Sequence, residues 1–199
     1  GNIDWGNGSS AHPGTVSDGG RWNANGTINV KNSNNINLTS RGELNVWTLS
    51  LAAGCRLNFD GGRLIAQSSG ALLAGSGRIC LNGSASIFTD YDRTIPNVIY
   101  GAGNLMKEGS GTLTLSAVNT YSGPTTVTNG ILALTVGNCL SASANLYVGS
   151  GASCRLDTAE TLNPSMPVWL DSADGADRKL NLTAAGTTST VARLYLNGA

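Results

Sequence analysis

The chain is short of charge, of aromatic side chains and of helical pattern, and each shortage closes off a class of protein. Only 12% of its 199 residues are charged, with 12 Lys and Arg against 12 Asp and Glu, so the formal net charge is zero. No basic face offers itself to nucleic acid or to anionic lipid. Aromatic residues make up 6% and are too scattered for a base-stacking platform. One histidine, His12, lies beside Pro13 in a polar leading stretch, so a Ser-His-Asp or Cys-His site would hang on a single turn residue. The His-Glu-x-x-His, phosphate-loop and Gly-x-Ser-x-Gly motifs are absent. Gly101-Ala-Gly103 lacks the third glycine and the following helix of a dinucleotide site, and reads as a turn. No apolar run approaches the roughly 20 residues that cross a bilayer as a helix, and strands of about 9–11 lipid-facing residues are missing too. The start, GNIDWGNGSS, has neither the basic region nor the apolar core of a signal peptide. No stretch keeps apolar residues at helical spacing.

Glycine is plentiful, with 27 residues, and 40% of the chain is hydrophobic, enough for a narrow core. Short alternating runs follow one another: Thr27–Val30, Ile36–Leu38, Glu43–Leu51, Cys55–Phe59 and Arg63–Ala66, then a similar series to Ala192–Leu196. Within Leu44–Leu51 the apolar positions change phase between Val46 and Leu49, which predicts a bend at Trp47. Glycine pairs such as Asp60-Gly-Gly and Gly75-Ser-Gly punctuate the runs. Strands this short suit a chain that winds in coils, each coil giving brief strands to continuous parallel sheets. The expected fold is all-β, a right-handed single-stranded parallel β-helix (solenoid), with a β-sandwich as the competitor. Residues 1–26 read as an irregular N-terminal cap or arm and 27–199 as the β-helix. At roughly 20–25 residues per coil about eight coils fit, a stack on the order of 40 Å tall.

Residues 101–134 are the most patterned: GAGNLMKEGSGTLTLSAVNTYSGPTTVTNGILAL. Gly103, Leu105, Lys107, Gly109, the Gly111–Leu115 run GTLTL, Asn119-Thr120-Tyr121, Gly123, Thr125, Val127, Gly130 and Leu132 carry a resemblance to the autotransporter-associated β-strand repeat of bacterial surface and secreted proteins. That resemblance implies a right-handed parallel β-helix displayed outside the cell, and it names no activity.

Cys55, Cys80, Cys139 and Cys154 are even in number. In an exported chain they fit two disulfides, with three connectivities available. Cys55 and Cys80 stand about one coil apart ahead of similar strands, which suggests Cys55–Cys80 and leaves Cys139–Cys154. Four buried thiols are the equal alternative. Two phrases, Leu49–Leu57 and Leu146–Leu156, both end in Cys-Arg-Leu and look like echoes of one coil position.

Candidate chemistry is thin. Asp90-Tyr-Asp92-Arg93 brings two carboxyls and a guanidinium into one loop, with Tyr91 and Tyr100 as a sugar-stacking face; a loop with an internal ion pair is the plainer reading. Asp171, Asp174 and Asp177 resemble a calcium loop, but their spacing fits an exposed acidic turn better. The Asn-x-Ser/Thr triplets, Asn37 and Asn82 among them, follow from composition, and the Asn and Thr residues suit ladders between coils. The expectation is therefore no enzyme, no catalytic residue, no cofactor and no metal. It is an extracellular structural protein whose subunits stack head to tail into a surface or secreted fibre. Its homopolymer contacts would involve Ile3 and Trp5 at one end and Leu194, Tyr195 and Leu196 at the other. The alternative is a passenger or adhesin fragment of an autotransporter that meets a glycan or a host surface. A carbohydrate-active β-helix using Asp90, Asp92 and Arg93 stands third.

Overall fold

The computed structural model describes residues 3–5, 14–24, 26–171, 179–182 and 188–197. The chain winds past three faces in turn, built from four sheets, and the pairings between strands are parallel. The first face stacks Gly14–Val16, Asn35–Thr39, Arg56–Asp60, Arg78–Leu81, Ile99–Gly101 and Thr120–Tyr121. The second is a nine-stranded sheet running from Arg21–Asn23 to Arg193–Asn197. No helix occurs among the described residues, and the coils build a β-solenoid of about seven turns. Regular coiling begins ahead of residue 27, because Gly14–Val16 pairs with Ile36–Leu38 and Arg21–Asn23 with Glu43–Asn45. Strands of three residues flanked by glycine carry too little alternation to be seen in sequence.

Inward positions alternate with outward ones along many strands, as in Thr112–Leu115, where half-buried and buried residues take turns. Stacking then turns single apolar positions into columns. Leu64, Ile87, Val127, Val148 and Leu170 occupy one such column along the second face. The predicted bend is present. Trp47 separates Glu43–Val46 from Thr48–Leu51 and stands half-exposed at the corner.

The third face is divided. Its upper sheet takes Ile3–Trp5, Thr27–Val30, Thr48–Leu51 and Leu73–Ala74, and its lower sheet starts at Gly70–Ala71 and continues through Arg93–Ile95 to Lys179–Leu182. Trp47 alone turns one coil onto this face, whereas Gln67–Ser69 turn the next, whose Gly70–Ala71 pairs in the lower sheet and Leu73–Ala74 in the upper. Leu72 bridges the two sheets, accepting from the Leu49 amide at 2.9 Å and donating to the Thr94 carbonyl at 2.9 Å.

Close stacking at the corners demands residues without side chains. A Cβ on Gly103 would lie 2.0 Å from the Gly83 carbonyl oxygen, and one on Gly123 would lie 2.2 Å from that of Gly103. This glycine column holds coils at a repeat of 20 residues, the separation that joins Ser143 Oγ to the Gly123 carbonyl at 2.9 Å.

The cysteines are free thiols. Register explains why Cys55 and Cys80 do not meet: Cys80 lies over Asn58 on the outer side, while Cys55 is buried at the preceding corner. Cys139 and Cys154 are both buried, and burial pushes the Cys139 thiol up to about 12. The two Cys-Arg-Leu phrases also occupy different corners. Leu57 belongs to the first face and Leu156 to the third.

Gly103→Ala should cost about 1–3 kcal/mol, because backbone rather than a flexible side chain must move. A urea denaturation series would show this as a lower midpoint with an unchanged slope.

Candidate functional site

Each coil turns three corners, and at several of them backbone carbonyls meet buried side-chain donors in place of water. Polar side chains that break the apolar columns supply those donors. Lys107 stands in the inward column between Ile87 and Val127 and is 0% exposed. Its Nζ donates to the carbonyls of Glu108 at 2.8 Å, Gly109 at 2.7 Å and Asn129 at 3.1 Å, the last in the following coil. An ammonium has three donors, and all three are used. Asn119 Nδ2 donates to the carbonyls of Ala117 and Cys139, at 3.0 and 3.1 Å, and its Oδ1 accepts from the Ile99 amide at 2.9 Å. It thereby joins three coils. Asn97 Nδ2 donates to the carbonyls of Gly75 and Gly77 at 3.0 and 2.8 Å. The Tyr121 hydroxyl meets Thr125 Oγ1 at 2.6 Å, which meets Ser143 Oγ at 2.9 Å, a fully buried hydroxyl chain.

Arg93 performs the same task at the break in the third face. It is 1% exposed, in a column continued by Leu113. Its guanidinium donates to the carbonyls of Ser68, Ser69, Ala71 and Trp47, spanning both halves of the divided face. Burial lowers its pKa, yet the four carbonyls make it the solvent of the seam.

This placement separates the three residues singled out as acid, base and guanidinium. Arg93 points into the core, while Asp90 Oδ1 accepts from the Ser110 amide and hydroxyl, both at 2.9 Å, and Asp92 Oδ1 accepts from the Thr112 amide at 3.0 Å. Those amide bonds hold both carboxyls below the ordinary value. The internal ion pair of the plainer reading does not form either. His12, Asp174 and Asp177 lie outside the described residues, and among those described no cluster of three potential metal ligands occurs.

The outer surfaces carry ladders. On the first face Asn58 Nδ2 donates to Asn37 Oδ1 at 2.7 Å, and on the second Asn45 Nδ2 donates to Asn23 Oδ1 at 2.6 Å. Also on the second face Glu43 joins Arg21 at 2.6 Å, and Arg63 joins Glu108 at 2.7 Å. Further along the same sheet Tyr147, Trp169 and Tyr195 occupy one register column. Trp169 and Tyr195 stack at 4.9 Å with planes 7° apart, and the Tyr147 hydroxyl donates to Asp171 Oδ2 at 2.6 Å. Trp169 and Tyr195 each cover one ring face with the other, which ties two successive coils together. Sequence reading missed Lys107 and Arg93 as buried cations. The signal was available, since both fall at inward positions of an alternating strand.

The passenger-associated-transport-repeat family model matches residues 105–134. That span opens with the strand bearing Lys107 and closes with Gly130–Leu134, and it includes Asn119, Tyr121 and Thr125. No curated protein and no solved structure matches the chain.

Two substitutions test the buried cations. Arg93→Met should lower stability by about 3 kcal/mol or more, since it strands several carbonyls at the seam. Amide exchange should accelerate most in Ser68–Leu73. Lys107→Met should cost about 2–3 kcal/mol at neutral pH for the same reason. Burial holds the Lys107 ammonium down to about 8, against 10.5 in the unfolded chain. Between those values the unfolded chain binds more protons, so the wild type gains stability as pH rises. The gap between wild type and Lys107→Met should therefore widen from pH 8 to pH 10, read from melts of both proteins.

Proposed function

We propose that this chain is a length of β-helical shaft from a passenger-type surface or secreted protein, one that holds and displays and does not catalyse. The matched repeat and the β-solenoid fit a passenger-type fragment. The residues of the matched span support the same reading, because their polar side chains bond to neighbouring coils. Asp90 and Asp92 likewise each commit one oxygen, Oδ1, to an amide of the next coil, and Arg93 lies apart in the core, which favours a scaffold over a glycan hydrolase.

One observation carries the proposal. Leu194 and Leu196 follow Val168 and Leu170 in their core columns, yet they are 52% and 55% exposed. The last described rung thus offers apolar surface and open backbone of the shape that a further coil covers. In a shaft that coil belongs to the same polypeptide. In the second reading it belongs to another copy, and a head-to-tail contact of this kind propagates into a fibre. Zero net charge favours the second reading, since little repulsion opposes association.

Sedimentation and negative-stain microscopy across concentration distinguish the two. A shaft segment should stay monomeric into the range of roughly 100 μM, a weak association by the usual scale. Filaments that vanish in Leu194→Glu with Leu196→Glu would establish the fibre and displace the shaft.

A further inference from the structure

We propose that the first face carries an oxyanion-binding site, built from Arg56, Arg78 and Tyr100, that takes the carboxylate or sulfate of an acidic glycan. Parallel register sets Arg56 directly on Arg78, and Tyr100 lies in the next rung beneath Cys80. With Gly54, Ser76 and Gly77 these residues line an open cavity of about 240 Å³. Two glycines and a serine leave its corner wall low, so a ligand approaches without meeting bulk.

Position in the fold sets the pair apart, since Arg56 and Arg78 face each other on adjacent rungs. Arg21, Arg63 and Arg155 each meet a carboxylate, and Arg93 is buried on carbonyls. Among the described residues Arg56 and Arg78 have no carboxylate partner. Like charges on facing rungs repel, and among the described residues no carboxylate pairs with either guanidinium, which leaves the exposed charges to solvent. A bound oxyanion would relieve the repulsion, and the planar fork of each guanidinium matches the geometry of a carboxylate or sulfate. The Tyr100 hydroxyl is protonated at neutral pH, as an ordinary phenol is, and it adds a further donor beside the two guanidinium groups.

The surroundings point to a sugar as carrier. The cavity is smaller than the 300–1,000 Å³ of a drug-sized pocket, so it suits one ring and its charged group. Thr15, Asn37 and Asn58 continue the outward column that leads to Cys80 and Tyr100. That polar track is suited to the hydroxyls of an extended chain. Binding at this site does not depend on whether the protein is a shaft or a fibre.

Titration calorimetry on the intact chain tests the proposal. The probes are a galacturonate tetrasaccharide, a heparin-derived tetrasaccharide and neutral maltotetraose, each at low and high salt. At least one charged probe should bind and maltotetraose should not, with affinity falling as salt rises. Whether the uronate or the sulfated probe binds identifies the group recognised. Arg56→Gln with Arg78→Gln should weaken binding roughly tenfold or more. Removal of an exposed cation elsewhere, Arg41→Gln, should change it by less than about twofold. Both arginines are exposed, and an unchanged melting temperature verifies that the double variant folds. Tyr100→Phe gives a second reading, a smaller loss with the pocket shape kept. The proposal is overturned if neither charged probe binds, if the double variant binds as tightly as wild type, or if Arg41→Gln loses as much.

Discussion

A chain that turns three corners per coil must find partners for the carbonyls that those corners bury, and this demand organises the molecule more than its apolar columns do. Leucine and isoleucine columns are simple to stack, because any branched side chain fills the slot. Corner carbonyls are unforgiving: each one left bare in the interior costs about 1–3 kcal/mol. The solution here is to place a donor-rich side chain at an inward position and let it serve several carbonyls. Lys107 serves three and Arg93 four. In a chain with only 12% charged residues, committing two cations to the core shows how strong that demand is.

The same constraint gives the matched repeat a physical meaning. Gly109 carries a positive φ of 79°, and a Cβ there would lie 2.3 Å from the Thr89 carbonyl oxygen. Lys107 binds the carbonyls on either side of that turn, and Asn119 ties its own corner to the coils before and after. Tyr121 passes its hydroxyl through Thr125 to Ser143. The spacing of the repeat therefore records which atoms of one coil touch the next. Each of these polar side chains is spent on its own corner or on a neighbouring coil, so this set of repeat residues serves the stacking of coils.

Much of this was legible in the residues themselves. Alternation in GTLTL and the phase change at Trp47 follow from the period of a strand, which any reader can apply. Where sequence reading failed, the cause was phase. Cys55 and Cys80 precede similar words, but the register aligns Arg56 with Arg78, and a shift of a few residues carries a side chain from the core to the surface. The Asp90–Arg93 cluster failed for the same reason, since neighbours along a strand point to opposite sides. Arg93 entered the core while the carboxylates stayed outside. The aromatic column of Tyr147, Trp169 and Tyr195 was hidden by unequal coils, because its members are brought together only by pairing.

Corners and faces thus divide the work. Corner residues are bound to their neighbours by hydrogen bonds that tolerate little change, whereas outward columns need only be compatible with the rungs above and below. The ionic column of Arg21, Glu43 and Arg63 shows the conservative use of that freedom, since alternating charge stabilises the stack. The column of Arg56 and Arg78 does the reverse, placing like charges on facing rungs at some cost to the fold. A scaffold selected for stability alone would alternate the signs there as well. The contrast between two columns of one small solenoid is the ground on which the anion site was proposed at the second of them.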